Sequence, residues 1–440
     1  MRKMKPSGVE WIGDIPQEWE IRSLKYLFDF GKGLPITKAD LKESGIAVIS
    51  YGQIHSKLNT GTHVTDDLIR FVDEQYLSSN YESIVKQKDF IFADTSEDLD
   101  GCGNCVYIDT DIQLFAGYHT IILRSRNNND NKYFAYLFKS DAWRKQIRER
   151  VTGVKLFSIS QRILKETTVI IPPFPQQQRI AEFLDRKCAE IDSVISKTKA
   201  TIEQYKSLKQ SVITQAVTKG IRLDRPMKDS GDIWIGLIPE DVKLSRTGLH
   251  FNIVLGKMLC TDPIDDSYTY EYYYCAANVH FGELSNDGLK QMWFSEKEKQ
   301  QYLVNAGDLL VVEGGAGAGG CCLVPSQENK TYIQNSIMIV RGKNSNCTGY
   351  LRYLIEFLVK SGYVDIVCNK ATIPHFTKEK LAAVPFPLFS PIEQQEIADY
   401  LDRKCSEIDR LIAAKEQLLT ELESYKKSVI YEYVTGKKEV

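Results

Sequence analysis

Three short stretches of this 440-residue chain hold residue types from which catalytic or ligand-binding sites are built. Ile171–Phe174 reads IPPF, one residue away from the Asn/Asp-Pro-Pro-aromatic motif of amino-methyltransferases, in which the first side chain accepts a hydrogen bond from the target amino group. Isoleucine has no acceptor, the counterpart Leu388–Pro391 reads LFSP, and no glycine-rich strand-to-helix turn for S-adenosylmethionine is present. Gly314–Gly320, GGAGAGG, lacks the Lys-Ser/Thr of a phosphate-cradling loop and runs into the strand-like CCLVP, so a tight hairpin is expected there. Cys102 and Cys105 in CGNC offer two zinc ligands, but no second matching pair exists, Cys321 and Cys322 being adjacent and distant in sequence. The six histidines (55, 63, 119, 250, 280, 375) have no metal-ligand spacing, and no Asp-Glu-Lys nuclease constellation stands out. The chain is expected to be non-catalytic, with no cofactor and no metal of its own.

The elements that would position any site are duplicated. FLDRKCAEID at Phe183–Asp192 returns as YLDRKCSEID at Tyr400–Asp409, an offset of 217, and WIGDIP at Trp11–Pro16 returns as WIGLIP at Trp234–Pro239, an offset of 223. Such an offset is too long for a solenoid unit and fits two tandem halves. In the first copy Leu184, Cys188, Ile191, Ile195, Thr198, Ile202, Tyr205, Val212 and Ala216 recur at steps of three and four, with a gap at Lys209. The second copy has Leu401, Cys405, Ile408, Ile412, Leu419, Leu422 and Val429, interrupted at Lys415 and Lys426. This is a coiled-coil seam on helices of about 40 residues, each a rod of roughly 60 Å. A single such helix cannot bury its stripe, so the two are expected to pair, most simply antiparallel.

The regions before each helix read as α+β. GIAVIS (Gly45–Ser50), HTIILRS (His119–Ser125), GDLLVVE (Gly307–Glu313) and SIMIVRG (Ser336–Gly342) are strand-like, and Asn131–Arg150 and Thr348–Gly362 are helical. Tyr118, Tyr136 and Leu137 align with Asn335, Tyr353 and Leu354, yet the side chains between these anchors diverge. A shared scaffold with divergent surfaces suggests two modules recognising different targets. Composition agrees with packed globular halves, 43% hydrophobic and 10% aromatic, and the start MRKMKPSGVEWIG lacks a signal-peptide run, so a cytoplasmic protein is expected, with no membrane span. The formal net charge of −2 is low for a free-standing DNA binder, which points to a partner supplying positive surface. Local basic clusters such as Trp143–Arg150 read first as solvated helix faces.

The tandem halves, the W-I-G-x-I-P openings, KATIPHFTKEKL at Lys370–Leu381 and the helix entry PFPLFSPIEQQEIADYLD at Pro385–Asp402 together resemble the specificity subunits of type I restriction–modification systems. The first half carries TGVKLFSISQRIL (Thr152–Leu164) in place of the run containing Pro374–His375. The resemblance covers essentially the whole chain. It implies an α+β fold with target recognition domains at residues 1–165 and 226–385, each followed by a long spacer helix, residues 166–225 and 386–440, the helices pairing antiparallel with pseudo-two-fold symmetry. Each domain would read one half of a split site in double-stranded DNA across an unread spacer fixed by the helices. Partners would be two methyltransferase subunits and restriction/translocase subunits, carrying S-adenosylmethionine, ATP and Mg.

Direct readout needs donors and acceptors on loops that reach base edges. The expected DNA contacts are Lys32, Lys38, Gln53, His55, Asn104, Lys155 and Ser158 in the first domain, and Lys257, Asn278, His280, Lys370, Thr372, His375 and Lys378 in the second. Two other function classes stay open from sequence. A self-sufficient DNA-modifying enzyme would need the cofactor motifs that are missing, and a coiled-coil protein adaptor would show no sequence-dependent DNA binding.

Overall fold

A computed structural model describes residues 3–9, 12–126, 129–325, 330–368 and 374–440. It forms two compact units, one of Met1–Lys199 with Gln417–Val440, the other of Ala200–Glu416.

In the first unit four strands, β1 (Phe28–Lys32), β2 (Phe90–Ala93), β3 (Cys105–Tyr107) and β4 (Thr120–Ser125), make an antiparallel sheet in the order β3-β2-β4-β1. β2 and β4 read as unbroken apolar runs because both faces are covered. Phe90, Phe92, Ile121 and Leu123 enter the main core, while Ile91, Ala93 and Ile122 alternate into a second one. That second core lies under a smaller sheet in which Ile46–Ile49 and Leu114–Ala116 run parallel. The helical stretch expected over Asn131–Arg150 is broken into α1 (Asn131–Lys139) and α2 (Asp141–Arg148). The Ser140 hydroxyl donates to the Leu137 carbonyl (2.6 Å) and accepts from the Trp143 amide (3.3 Å), ending one helix and capping the next. The chain then enters α3 (Phe174–Lys219).

The second unit repeats the plan: β5 (Phe251–Leu255), β6 (Leu309–Val312), β7 (Cys321–Leu323) and β8 (Ile337–Gly342), in the order β5-β8-β6-β7, followed by α4 (Thr348–Lys360) and α5 (Pro391–Val434). Leu309, Val311, Met338 and Val340 face one core, and Leu310, Val312, Ile337 and Ile339 the other. The glycine-rich run joins β6 to β7 as a hairpin, with Gly315 and Gly319 in the left-handed region (φ 87° and 83°) that side chains disfavour. Cys102, Cys105, Cys321 and Cys322 are free and buried, and burial pushes all four thiols up.

Each unit holds one end of α3 against one end of α5, antiparallel. In the first unit the rings of Phe183 and Tyr433 lie 4.4 Å apart and Lys426 meets both Asp192 oxygens at 2.6 Å. In the second, Arg222 pairs with Glu396 (3.1 Å), and Lys209 with Asp409 (2.7 and 2.8 Å).

The repeated sequence now has a physical content. Leu184 and Leu401 are fully buried, and Asp185 and Asp402 accept hydrogen bonds from the Tyr136 and Tyr353 hydroxyls (2.6 and 2.7 Å). The buried amides of Gln177 and Gln394 tie the starts of the long helices to the segments entering α1 and α4, accepting from the Asp130 and Cys347 amides at 2.9 Å. Buried Tyr133 reaches the Val434 and Ile170 carbonyls (3.0 and 3.1 Å), and Tyr350 reaches those of Val217 and Pro387 (2.8 and 3.2 Å). Each hydroxyl shares its single proton between a carbonyl at a helix end and one on a strand, tying the two elements together. Of the expected seam, Leu184, Ile191, Ile202, Leu401, Ile408 and Val429 are buried, and Ile195, Tyr205, Val212, Ile412, Leu419 and Leu422 are half-buried. Toward the end of α3 the buried stripe moves to Ile213, Ala216 and Val217. Among the described residues no helix is long and apolar enough to cross a membrane.

Candidate nucleic-acid interface

In the first unit the ends of β1, β2 and β4 and the short strand Phe157–Ser158 enclose a cleft of about 520 Å³, lined among others by Lys32, Asp94, Thr95, His119, Ser158 and Gln161. Ser158 pairs with Thr95 across a two-residue antiparallel ladder. His119 Nδ1 lies 3.2 Å from Asp94 Oδ1, and the imidazole is flanked edge-on by Tyr51 (5.5 Å) and Tyr118 (6.0 Å). His119 holds φ at 56°, a left-handed conformation uncommon for a residue with a side chain.

The second unit has the same junction. The Glu313 amide bonds the Ser336 carbonyl (2.8 Å) and the Phe376 amide bonds the Glu313 carbonyl (2.6 Å), as the Asp94 amide bonds His119 (3.0 Å) and the Ile159 amide bonds Asp94 (2.7 Å). Gly314 bridges His375 just as Thr95 bridges Ser158, and His375 Nδ1 lies 3.2 Å from Glu313 Oε2.

The expected contact residues divide by how their polar atoms are used. Lys32, Lys38, Lys155 and Ser158 are exposed in the first unit, and His280, His375 and Lys378 in the second. Gln53 accepts from the Ser50 amide (3.2 Å) as part of a capping box. Both nitrogens of His55 are engaged, by the Thr95 carbonyl (2.8 Å) and the Asn104 amide (3.0 Å), and Arg144 clasps Asn104 in turn. His55 and Asn104 thus brace the loop that carries Thr95, Gln53 caps its own helix, and all three are half-buried. Asn278 is 3% exposed and spends its amide on the Ser285 and Asp287 carbonyls (3.2 and 3.0 Å), so it is a loop staple and not a surface reader. Lys257 is also buried, paired with Glu298 (2.5 Å) beneath the Phe294 ring. Lys370 and Thr372 lie outside the described residues.

The basic run Trp143–Arg150 is only partly a solvated face. Trp143 and Ile147 are buried, and Arg144 and Arg148 hold the 98–104 loop through the Asp100 carbonyl (2.6 and 3.2 Å). Asp94, His119 and Glu313 were not singled out from sequence, because Asp94 and Glu313 follow apolar strand runs, His119 precedes one, and nothing in the sequence brings the acid and the histidine of either pair together. The signal available was a charged residue directly after a four-residue buried strand in both halves.

Two copies of the family model for the type I restriction modification DNA specificity domain match the chain, over residues 16–204 and 239–424. The chain belongs to that family. It is a specificity subunit, the DNA-sequence-recognition component of a type I restriction–modification system. The MjaX specificity subunit of Methanocaldococcus jannaschii is 23% identical over 97% of this chain and 95% of its own length. The EcoKI specificity subunit of Escherichia coli K12 is 22% identical over 68% of this chain and 62% of its own. Two solved structures share the fold of the specificity subunit. One, from a study of complex assembly and conformational transition of the type I system, has a TM-score of 0.69 at 16% identity, covering 96% of this chain and 99% of that one. The HsdS subunit of Thermoanaerobacter tengcongensis has a TM-score of 0.55 at 17% identity, covering 96% and 98%.

Proposed function

We propose that the specificity subunit reads a two-part site in double-stranded DNA, one half-site per unit, and docks two copies of a methyltransferase subunit on its duplicated helices, itself performing no catalysis. The observation that carries this is a contrast between surfaces. Arg186 and Arg403, and Glu190 and Glu407, are identical in the two copies although all four are exposed. The junctions at the sheet ends share a backbone plan but differ in side chain, with Thr95, His119 and Ser158 in the first unit where the second has Gly314, Ser336 and His375. An exposed residue kept in both copies fits two equal partners, whereas divergent junctions fit two different half-sites. S-adenosylmethionine, ATP and Mg belong on the methyltransferase and restriction subunits in this reading, the assembly acts in the cytoplasm, and the partner supplies the positive surface that a chain of net charge −2 lacks.

The test is to purify the chain with and without its cognate methyltransferase subunit and sequence methylated adenines on randomised DNA. The pair is expected to modify a bipartite site and the chain alone nothing. Methyl transfer by the isolated chain, or modification without sequence preference by the pair, would overturn the reading.

A further inference from the structure

The acidic residue at the end of the central strand is a poor choice for a DNA-facing cleft on electrostatic grounds alone. A carboxylate repels phosphates and weakens the sequence-independent part of binding. Yet both units place one there, Asp94 after β2 and Glu313 after β6, and each meets a histidine at 3.2 Å. The two histidines come from different segments of their units. In the first unit it is His119, at the start of β4, whose counterpart in the second unit is Ser336; in the second it is His375, whose counterpart is Ser158.

The local sequence explains the exchange. A Cβ added to Gly314 would sit 3.0 Å from His375 Nδ1, so glycine leaves room for that ring. The first unit has Thr95 at this place, whose side chain occupies the space, and there the histidine approaches from the other side through the left-handed backbone of His119. The same pair has been assembled from two directions, one requiring a glycine and the other an unfavourable φ. Strain of this kind persists where a side chain must be aimed.

Both imidazoles are more than half exposed, at 57% and 58%, and the carboxylates less so, at 35% and 16%. With Nδ1 on the carboxylate, Nε2 is the ring nitrogen a ligand can reach, and a neutral imidazole donating from Nδ1 presents Nε2 as an acceptor. In that tautomer carboxylate and ring together form an acceptor surface. In the major groove the groups that match an acceptor are the exocyclic amines, adenine N6 and cytosine N4.

We propose that Asp94–His119 and Glu313–His375 are the specificity-determining pairs of their units, each reading the amino group of an adenine or cytosine in its half-site. This rests on the half-site reading above and names the residues that perform it. A carboxylate at such a point gains affinity only where an amino group donates to it, so it lowers binding to every other sequence.

The experiment uses the full chain with its cognate methyltransferase subunit and DNA randomised at both half-sites, with methylated positions read by sequencing. Asp94→Asn and His119→Asn are expected to relax the preference about 10-fold at one base pair, the same for both, and to leave the other half-site unchanged. Glu313→Gln and His375→Ser are expected to do the same in the other half-site. Asparagine tolerates the left-handed backbone at 119, and serine at 375 copies the first unit's own residue, so both variants retain the local fold. Variants that melt like the wild type and keep every base preference would overturn the pairing, as would a uniform loss of affinity with a shallower salt dependence, which marks a phosphate contact. A wild-type complex that selects no sequence would overturn the half-site reading as well. Selection by the wild type with unchanged variants overturns the pairs alone.

Discussion

Lys139, the last residue of α1, shows how one position can carry opposite charge in the two units. Its counterpart Glu356 is 3% exposed and held between Arg352 (3.6 Å) and Lys360 (2.6 Å). Lys139 instead lines a cleft of about 960 Å³ in the first unit together with Arg144, Arg148, Lys426 and Lys427. Burial, with Lys426 beside it, pushes its pKa down to about 8, and Asp192, which would relieve it, is already engaged by Lys426. The folded-state pKa lies below the unfolded value of about 10.4, so between those limits the unfolded chain binds the proton more tightly and stability rises with pH. At neutral pH both states are protonated and the full penalty is present. Lys139→Met is therefore expected to stabilise the first unit by about 1–2 kcal/mol at pH 7, with the gain fading above pH 8, measured by denaturant unfolding across pH. A gain that is flat to pH 10.5 would assign the effect to packing. At this scale the sequence was a partial guide. It named Ser158 and His375 as contacts, and these occupy matching places at the two strand-end junctions. It also named Asn278 and Lys257, which turn inward, because an amide or an ammonium on a loop looks the same whether a base edge or a distant carbonyl or carboxylate receives it.

Among the elements, periodicity disclosed most. The apolar runs became β4, β6 and β8 at nearly the expected bounds, and the seam from Leu184 to Val429 identified the long helices. Lys209 and Lys426 read as interruptions of that seam, and here spacing fails for a physical reason: the residue that neutralises a seam lysine lies on another helix some 200 residues away. Lys426 pairs with Asp192 in the first unit and Lys209 with Asp409 in the second, so these two interruptions are polar fixings of the antiparallel register. The lysines are mostly buried, at 14% and 21% exposed, which lifts the pairs above ordinary surface bridges. A double-mutant cycle with Lys426→Met and Asp192→Asn is expected to give a coupling of about 1 kcal/mol or more, and Lys209→Met with Asp409→Asn a similar one. Coupling below about 0.3 kcal/mol in both cycles would leave register to the apolar seam alone.

Taken whole, the molecule is built so that neither sequence half completes a unit. The first unit's core takes Val429, Ile430 and Val434 from the end of α5, and the second's takes Ile213, Ala216 and Val217 from the end of α3. The tandem repeat made two halves legible, but this exchange was not, because periodicity along one helix does not say which core its far end enters. The exchange has a measurable consequence. Val212, Ile213 and Val217 stand 217 residues before Val429, Ile430 and Val434 and are identical to them, and Lys209 and Asp192 carry the same charges as Lys426 and Asp409. A fragment of residues 1–225 therefore holds both the vacant seat of the first unit and a helix end that fills it in a second copy. Filling it within one chain would require α3 to fold back on itself, which an unbroken helix cannot do. The fragment is expected to purify as a homodimer by light scattering, to melt at a temperature that rises with concentration, and, with the methyltransferase subunit, to modify an inverted repeat of one half-site, since two identical readers on a two-fold axis face a palindrome. Ile213→Asp, which places a charge where Ile430 is 2% exposed in the full chain, is expected to leave the fragment monomeric and unfolded. A stable, folded monomer of residues 1–225 would show that the first unit does not need the end of α5, and the shared helices would then be a surface for partners alone.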